Sequence, residues 1–245
     1  MHRRYLNIFQ RRYIMKMNKK TIRFTVPDLE FIDGLKPAKQ FVPDWYRQSE
    51  RFAGGKLKIV NGSGNHALKL CVPFLDGMTS GYIATLWTDV MVEQTDLGTK
   101  IQWRSGPDPI EKRPRINDKL PTPHGHEDAH YAWKTLFQFQ TPKGYSALIT
   151  HPFNRFDLPF TTLSGVVDSD MTVGRGNLPF FLKKDFEGII PVGTPIMQIL
   201  PFKREDWKAE DEKSIYDFGR KNELDTMRHS HSWYKNFKWH RKSYE

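Results

Sequence analysis

Two stretches decide how this chain folds: Leu163-Ser164-Gly165-Val166-Val167-Asp168-Ser169-Asp170 and, further on, Gly193-Thr194-Pro195-Ile196-Met197-Gln198-Ile199-Leu200. In the first, a short apolar run leads through a turn to two acids. In the second, a glycine turn launches a strand that carries Gln198. Short apolar runs bounded by turn residues read as strands, and the same pattern recurs at 21–26, 57–60, 68–72, 82–92, 99–103, 133–139, 145–150, 163–167, 178–182 and 196–200. Many short strands predict a mainly β protein, a single barrel or sandwich domain over 21–202. The runs 147–149, 166–167 and 196–200 are expected to be its buried strands.

Helical signals are sparse. Asp44 after Pro43 predicts a short capped helix with Trp45 and Tyr46 turned inward. Residues 104–125, rich in proline and charge, read as a surface loop. Beyond Pro201 the spacing of Trp207, Ile215, Phe218, Leu224 and Met227 predicts amphipathic helix, so 203–245 reads as a helical basic tail.

The charge sits at the ends. The formal net charge is +10, and residues 1–20 hold seven Lys/Arg with no acid. Lys235, Lys238, Arg241 and Lys242 against Glu245 supply the rest. The body over 21–228 is therefore balanced. Basic tails bind polyanions weakly through counterion release, so nucleic acid is a candidate partner of the ends. Met15 and Met17 are both plausible starts, which bears on how much of the 1–20 extension is translated.

No apolar run approaches the roughly 20 residues of a membrane span, and no signal-peptide pattern opens the chain. A host-cell cytoplasm or a virion is the expected location. The single cysteine, Cys71, cannot form an intrachain disulfide and reads as a buried small hydrophobe.

The densest polar cluster is His124-Gly125-His126-Glu127-Asp128-Ala129-His130. In an extended segment His124, His126, Asp128 and His130 share one face, and imidazole with carboxylate suits zinc or non-haem iron. His126 and Asp128 match half of the facial triad of iron oxygenases. The alternative is a loop with free histidines. Phosphate-binding glycine loops and nucleophile elbows are absent.

Gly165-Val166-Val167-Asp168-Ser169-Asp170 resembles the Gly-φ-Ile-Asp-x-Asp-Tyr motif of the dUTPase family (φ apolar). Gly193-Thr194-Pro195-Ile196-Met197-Gln198-Ile199-Leu200 resembles its Gly-x-x-Ile-Ala-Gln-Leu motif. The resemblance implies a β-clip fold that often trimerises. It also implies magnesium-dependent nucleotide hydrolysis with the carboxylates of Asp168 and Asp170 catalytic, Asp168 orienting the attacking water as a general base, and Gln198, Arg155 and Tyr145 as ligand-binding candidates. Met171 stands where the family has tyrosine. The family's Arg-Ser-Gly motif and glycine-rich arm have no counterpart. The Thr141-Pro142-Lys143-Gly144-Tyr145-Ser146 segment with the two motifs also resembles a group of bacteriophage-encoded proteins that carries no established chemistry.

Three functions follow as expectations. One is a non-enzymatic, homo-oligomeric phage-type structural or interaction protein. The second is a dUTPase-like nucleotide-processing enzyme using magnesium. The third is a metal-dependent oxygenase using His126 and Asp128. The acids of 168–170 have a plainer reading as turn formers that bond backbone amides.

Overall fold

The computed structural model describes residues 21–27, 33–60, 63–113, 119–172, 176–229 and 233–245. The expected basic extension over 1–20 lies outside them. The chain divides into two compact units: Gly81–Arg204 with the described residues up to Lys36, and Pro37–Ser80 with Glu205–Glu245. The β domain expected over 21–202 is thus interrupted, because 37–80 clusters with the C-terminal residues rather than with the strands around it.

The strands in chain order are β1 (Arg23–Thr25), β2 (Lys36–Pro37), β3 (Ile59–Val60), β4 (Ser63–Gly64), β5 (Tyr82–Thr85), β6 (Val90–Thr95), β7 (Gly98–Trp103) and β8 (Ile110–Arg113). They continue with β9 (His126–Lys134), β10 (Gln138–Gln140), β11 (Tyr145–Thr150), β12 (Phe160–Thr162), β13 (Gly165–Val167), β14 (Asn177–Lys183), β15 (Gly188–Ile190) and β16 (Pro195–Lys203). Helices are α1 (Asp44–Gln48), α2 (Val72–Thr79) and α3 (Ser214–His229). The protein is mainly β with a C-terminal helix, as the turn-bounded runs predict. Its strands are shared among several sheets, and none closes into a barrel among the described residues. A five-stranded sheet runs β13-β11-β16-β5-β2 and a four-stranded one β12-β14-β9-β8, beside smaller sheets β15-β6-β7, β1-β10 and β3-β4.

The core lies in the larger unit and is aromatic. Trp133 on β9 stacks on Phe180 of β14 at 3.9 Å with planes 9° apart, and Phe160 of β12 meets Trp133 edge-on at 4.9 Å. The three rings are wholly buried. The Trp133 indole N–H donates to Thr162 Oγ1 at 3.1 Å, and that hydroxyl donates to the Ile196 carbonyl at 2.7 Å. This relay ties the four-stranded sheet to β16 of the five-stranded one. Gly81 permits a second close approach: its φ is +73°, and a Cβ there would sit 2.2 Å from the Ile199 carbonyl oxygen.

Several expectations are corrected. Residues 68–72 are a 3₁₀ turn (Leu68–Leu70) and the start of α2, not a strand. Pro73 in the first turn, with φ preset for helix, explains the switch. The run over 82–92 breaks into β5 and β6. The supposed loop over 104–125 contains β8, whose Ile110 pairs with Trp133. Tyr46 is buried, but Trp45 is 40% exposed. Cys71 is exposed, because it precedes α2 rather than lying in a strand. Val166 and Val167 are exposed as well, since β13 ends the strand order of its sheet.

Two substitutions test the core. Phe180→Ala is expected to cost about 3–5 kcal/mol in urea unfolding through the cavity it opens. Thr162→Val, isosteric but lacking the relay hydroxyl, strands the Trp133 N–H and is expected to cost about 1–3 kcal/mol. An unchanged midpoint for Thr162→Val would show that the relay does not matter.

Candidate functional site

The two motif acids sit just after β13, beside the start of β11 and the end of β16. Antiparallel pairing sets this up: Ala147 faces Val167 across one ladder and Pro201 across the other. Asp168 Oδ1 accepts from Ser146 Oγ at 2.7 Å and from Arg204 Nη1 at 3.2 Å. Asp170 takes Arg204 through both oxygens, at 2.8 and 2.5 Å, and Oδ2 also accepts from the Gly144 N–H at 2.7 Å. Gly144 supplies that amide from a left-handed turn, φ +85°. Between the acids, the Ser169 hydroxyl meets Thr141 Oγ1 at 2.7 Å. The Asp170 side chain is 1% exposed, while that of Asp168 is 64% exposed. The Arg204 hydrogen bonds, then the Gly144 amide, hold Asp170 below the usual carboxylate range against the opposing effect of burial. Arg204 in turn is pushed above the ordinary guanidinium value by Asp170. One arginine therefore clamps two acids and the carbonyl of Tyr145, which it reaches at 3.3 Å.

Gln198 lies elsewhere. It is buried on β16, opposite Thr150, and its Oε1 accepts from the Phe153 N–H at 2.8 Å. Ser146, the anchor of Asp168, lies four residues from Thr150 along β11, about 13 Å at strand rise. The two motifs flank the same middle of β11, where Gly165 and Ile199 both face Ile149, but Asp168 and Gln198 stand at its opposite ends. Arg155 is at the Gln198 end, in a two-pronged pair with Asp157 at 2.9 and 2.8 Å. His151 is held beside it: Nε2 donates to the Arg155 carbonyl at 3.1 Å and Nδ1 accepts from the Thr162 N–H at 3.3 Å. Both bonds suit a neutral ring, and burial lowers its pKa.

The histidine cluster falls on strand from His126 onward, with His124 in the turn before it. β9 starts at His126, so alternation puts His126, Asp128 and His130 on one face. Each has its own neighbour. His126 Nδ1 donates to the His124 carbonyl at 3.0 Å and Nε2 meets Thr161 Oγ1 at 2.8 Å. Asp128 accepts from Thr122 Oγ1 at 2.6 Å. His130 is buried against the Phe181 ring, 5.7 Å between centroids, and His124 is exposed. Among the described residues no three His, Cys, Asp or Glu side chains converge as a metal-ligand set. On the other face, Glu127 accepts from Gln94 and Thr99 at 2.9 and 2.8 Å and from the Tyr131 hydroxyl at 3.3 Å. Burial and then the Glu127 charge push the Tyr131 phenol up to about 12.

Sequence reasoning missed Arg204, Ser146 and Glu127. Arg204 had a signal, as the first cation after the last strand, but its partners are far away in sequence. No family model matches this chain, and no curated protein does. Among solved structures it is similar to a tyrosine-to-isoleucine mutant of the dUTPase of Staphylococcus bacteriophage 80alpha. Identity is 10% over 79% of this chain and 97% of that one, with a TM-score of 0.36. No helix among the described residues is long and apolar enough to cross a membrane.

The site makes stability depend on pH in two windows. The lowered His151 pKa means the unfolded chain takes up a proton that the folded ring resists. Stability is then full above the ordinary value of 6.5 and falls as pH drops through the folded one. Asp170 acts with the same sign from its ordinary value of 3.8 downward. Urea unfolding across pH 4–8 is expected to show His151→Leu with a shallower slope below about 6.5 than the parent. Equal slopes would mean that His151 is not held neutral.

Proposed function

We propose that the chain is a non-enzymatic, phage-type interaction protein that works as a homo-oligomer, with a trimer the count implied by the dUTPase resemblance. The observation that supports this most is the Arg204 clamp. It commits Asp168 and Asp170 to holding together the start of β11, the turn after β13 and the end of β16. The residues expected to serve one nucleotide site also stand at both ends of β11, with Gln198 and Arg155 each bonded internally. Self-association has its own support. β13 ends its sheet, and Val166, Val167 and Met171 there are 63%, 36% and 77% exposed. An apolar strand edge of this kind pairs readily with another copy. The basic ends, 1–20 and 229–245, add weak, salt-dependent contact with nucleic acid, and the chain acts in the host cytoplasm or the virion.

Purified protein with magnesium is expected to release no pyrophosphate from dUTP or other deoxynucleotides. Turnover that Asp168→Asn lowers by about 10²–10⁴ would replace this reading with the enzyme one. Light scattering is expected to find an oligomer that Val166→Lys shifts to monomer. A monomeric parent would remove the self-association.

A further inference from the structure

We propose that the smaller unit carries a nucleotide-binding pocket, open to a phosphate ester with a planar base. This deepens the nucleic-acid part of the reading above and rests on it only where the nucleotide belongs to a strand. The pocket is a cavity of about 490 Å³ between α1, the 3₁₀ turn before α2, and the C-terminal segment, all within that unit. Its size is within the roughly 300–1,000 Å³ range of small-ligand sites.

Four cations line it, Arg47, Arg51, Lys69 and Lys235, and no carboxylate does. Their roles divide. Lys69 Nζ donates to the carbonyls of Tyr46 and Arg47, at 2.5 and 2.8 Å, and so closes the end of α1. Arg47 donates Nε to the Val42 carbonyl at 3.0 Å, which leaves its terminal nitrogens for a ligand. Among the described residues Arg51 and Lys235 have no ion pair. Unpaired guanidinium groups around a recess suit phosphate, which takes parallel N–H donors.

The apolar wall supplies the second half of the match. Phe52 and Trp239 line the same cavity. Trp239 is fixed, since its indole N–H donates to Asp76 Oδ2 at 2.8 Å and its backbone N–H to the Tyr234 carbonyl at 2.9 Å. The same Asp76 oxygen also accepts from Lys242 Nζ at 2.5 Å. An indole held at its edge keeps its face available, and a base stacked on it adds affinity without sequence preference. A planar anion satisfies both halves. An acidic peptide would use only the cations.

Calorimetric titration of the full chain with dTMP, followed in parallel by tryptophan fluorescence, tests this. Saturable binding is expected, with thymidine and inorganic phosphate each weaker by about tenfold or more. Arg51→Gln and Lys235→Gln, at exposed positions, are each expected to weaken dTMP by about tenfold with an unchanged melting temperature. Lys58→Gln, outside both the pocket and the basic ends, should leave affinity as it is. A short oligothymidylate binding more tightly than dTMP, with the same sensitivity to Arg51→Gln, assigns the site to a strand. Equal affinity assigns it to the free nucleotide. No saturable dTMP binding, no effect of Arg51→Gln and Lys235→Gln combined in one chain, or equal binding of a Glu-rich peptide would overturn the pocket. Oligothymidylate binding without dTMP binding would do the same and leave the tail contact standing. The reverse pattern keeps the pocket and removes the tail contact.

Discussion

The larger unit depends on one buried relay, from the Trp133 indole through the Thr162 hydroxyl to the Ile196 carbonyl. A tryptophan at the centre of a core must place its N–H, and here the acceptor is a side chain that itself needs an acceptor. That requirement fixes β12 against both β9 and β16. The stacked Phe180 and edge-on Phe160 fill the space around the indole, so apolar packing and polar satisfaction specify the same arrangement. His151 joins this seam by accepting from the Thr162 backbone N–H. The polar groups here are not a cleft but a buried joint.

The same economy of partners governs the motif acids. Asp168 and Asp170 stand where three chain segments meet: both oxygens of buried Asp170 are taken by Arg204 and Gly144, and Oδ1 of Asp168 by Ser146 and Arg204. A buried carboxylate needs such partners, because an unpaired charge away from water is costly. The arginine that satisfies Asp170 thereby ties the end of the last long strand to the turn after β13. The two acids of the motif are thus bonded into the joint between these segments. The histidines of β9 tell a similar story, each bonded or packed within its own sheet.

The smaller unit follows a different logic. It has little regular sheet, and its cations and aromatics surround a recess rather than a core. Lys69 shows how a charge can be structural, capping α1, while Arg51 and Lys235 beside it stay unpaired among the described residues. Of the C-terminal aromatics, Trp239 is docked through Asp76, whereas Tyr234 and Phe237 are exposed.

The sequence by itself determined the β class, most strands and the C-terminal helix. The signals for these are local: apolar runs with turn residues between them, and helical spacing after Pro201. β11 and β14 are legible for that reason. Where a local signal was outweighed, as at 68–72, a nearby proline had already set the backbone for helix. Only the tertiary structure decided what the polar residues do. Which partners Asp168 keeps depends on where the fold brings Arg204 and Ser146, and how far Gln198 stands from it depends on strand register. The split of 37–80 from the surrounding strands is equally invisible in the chain. Hydrogen bonds between distant segments have no period and no spacing, so the sequence names the donors and acceptors but only the fold pairs them.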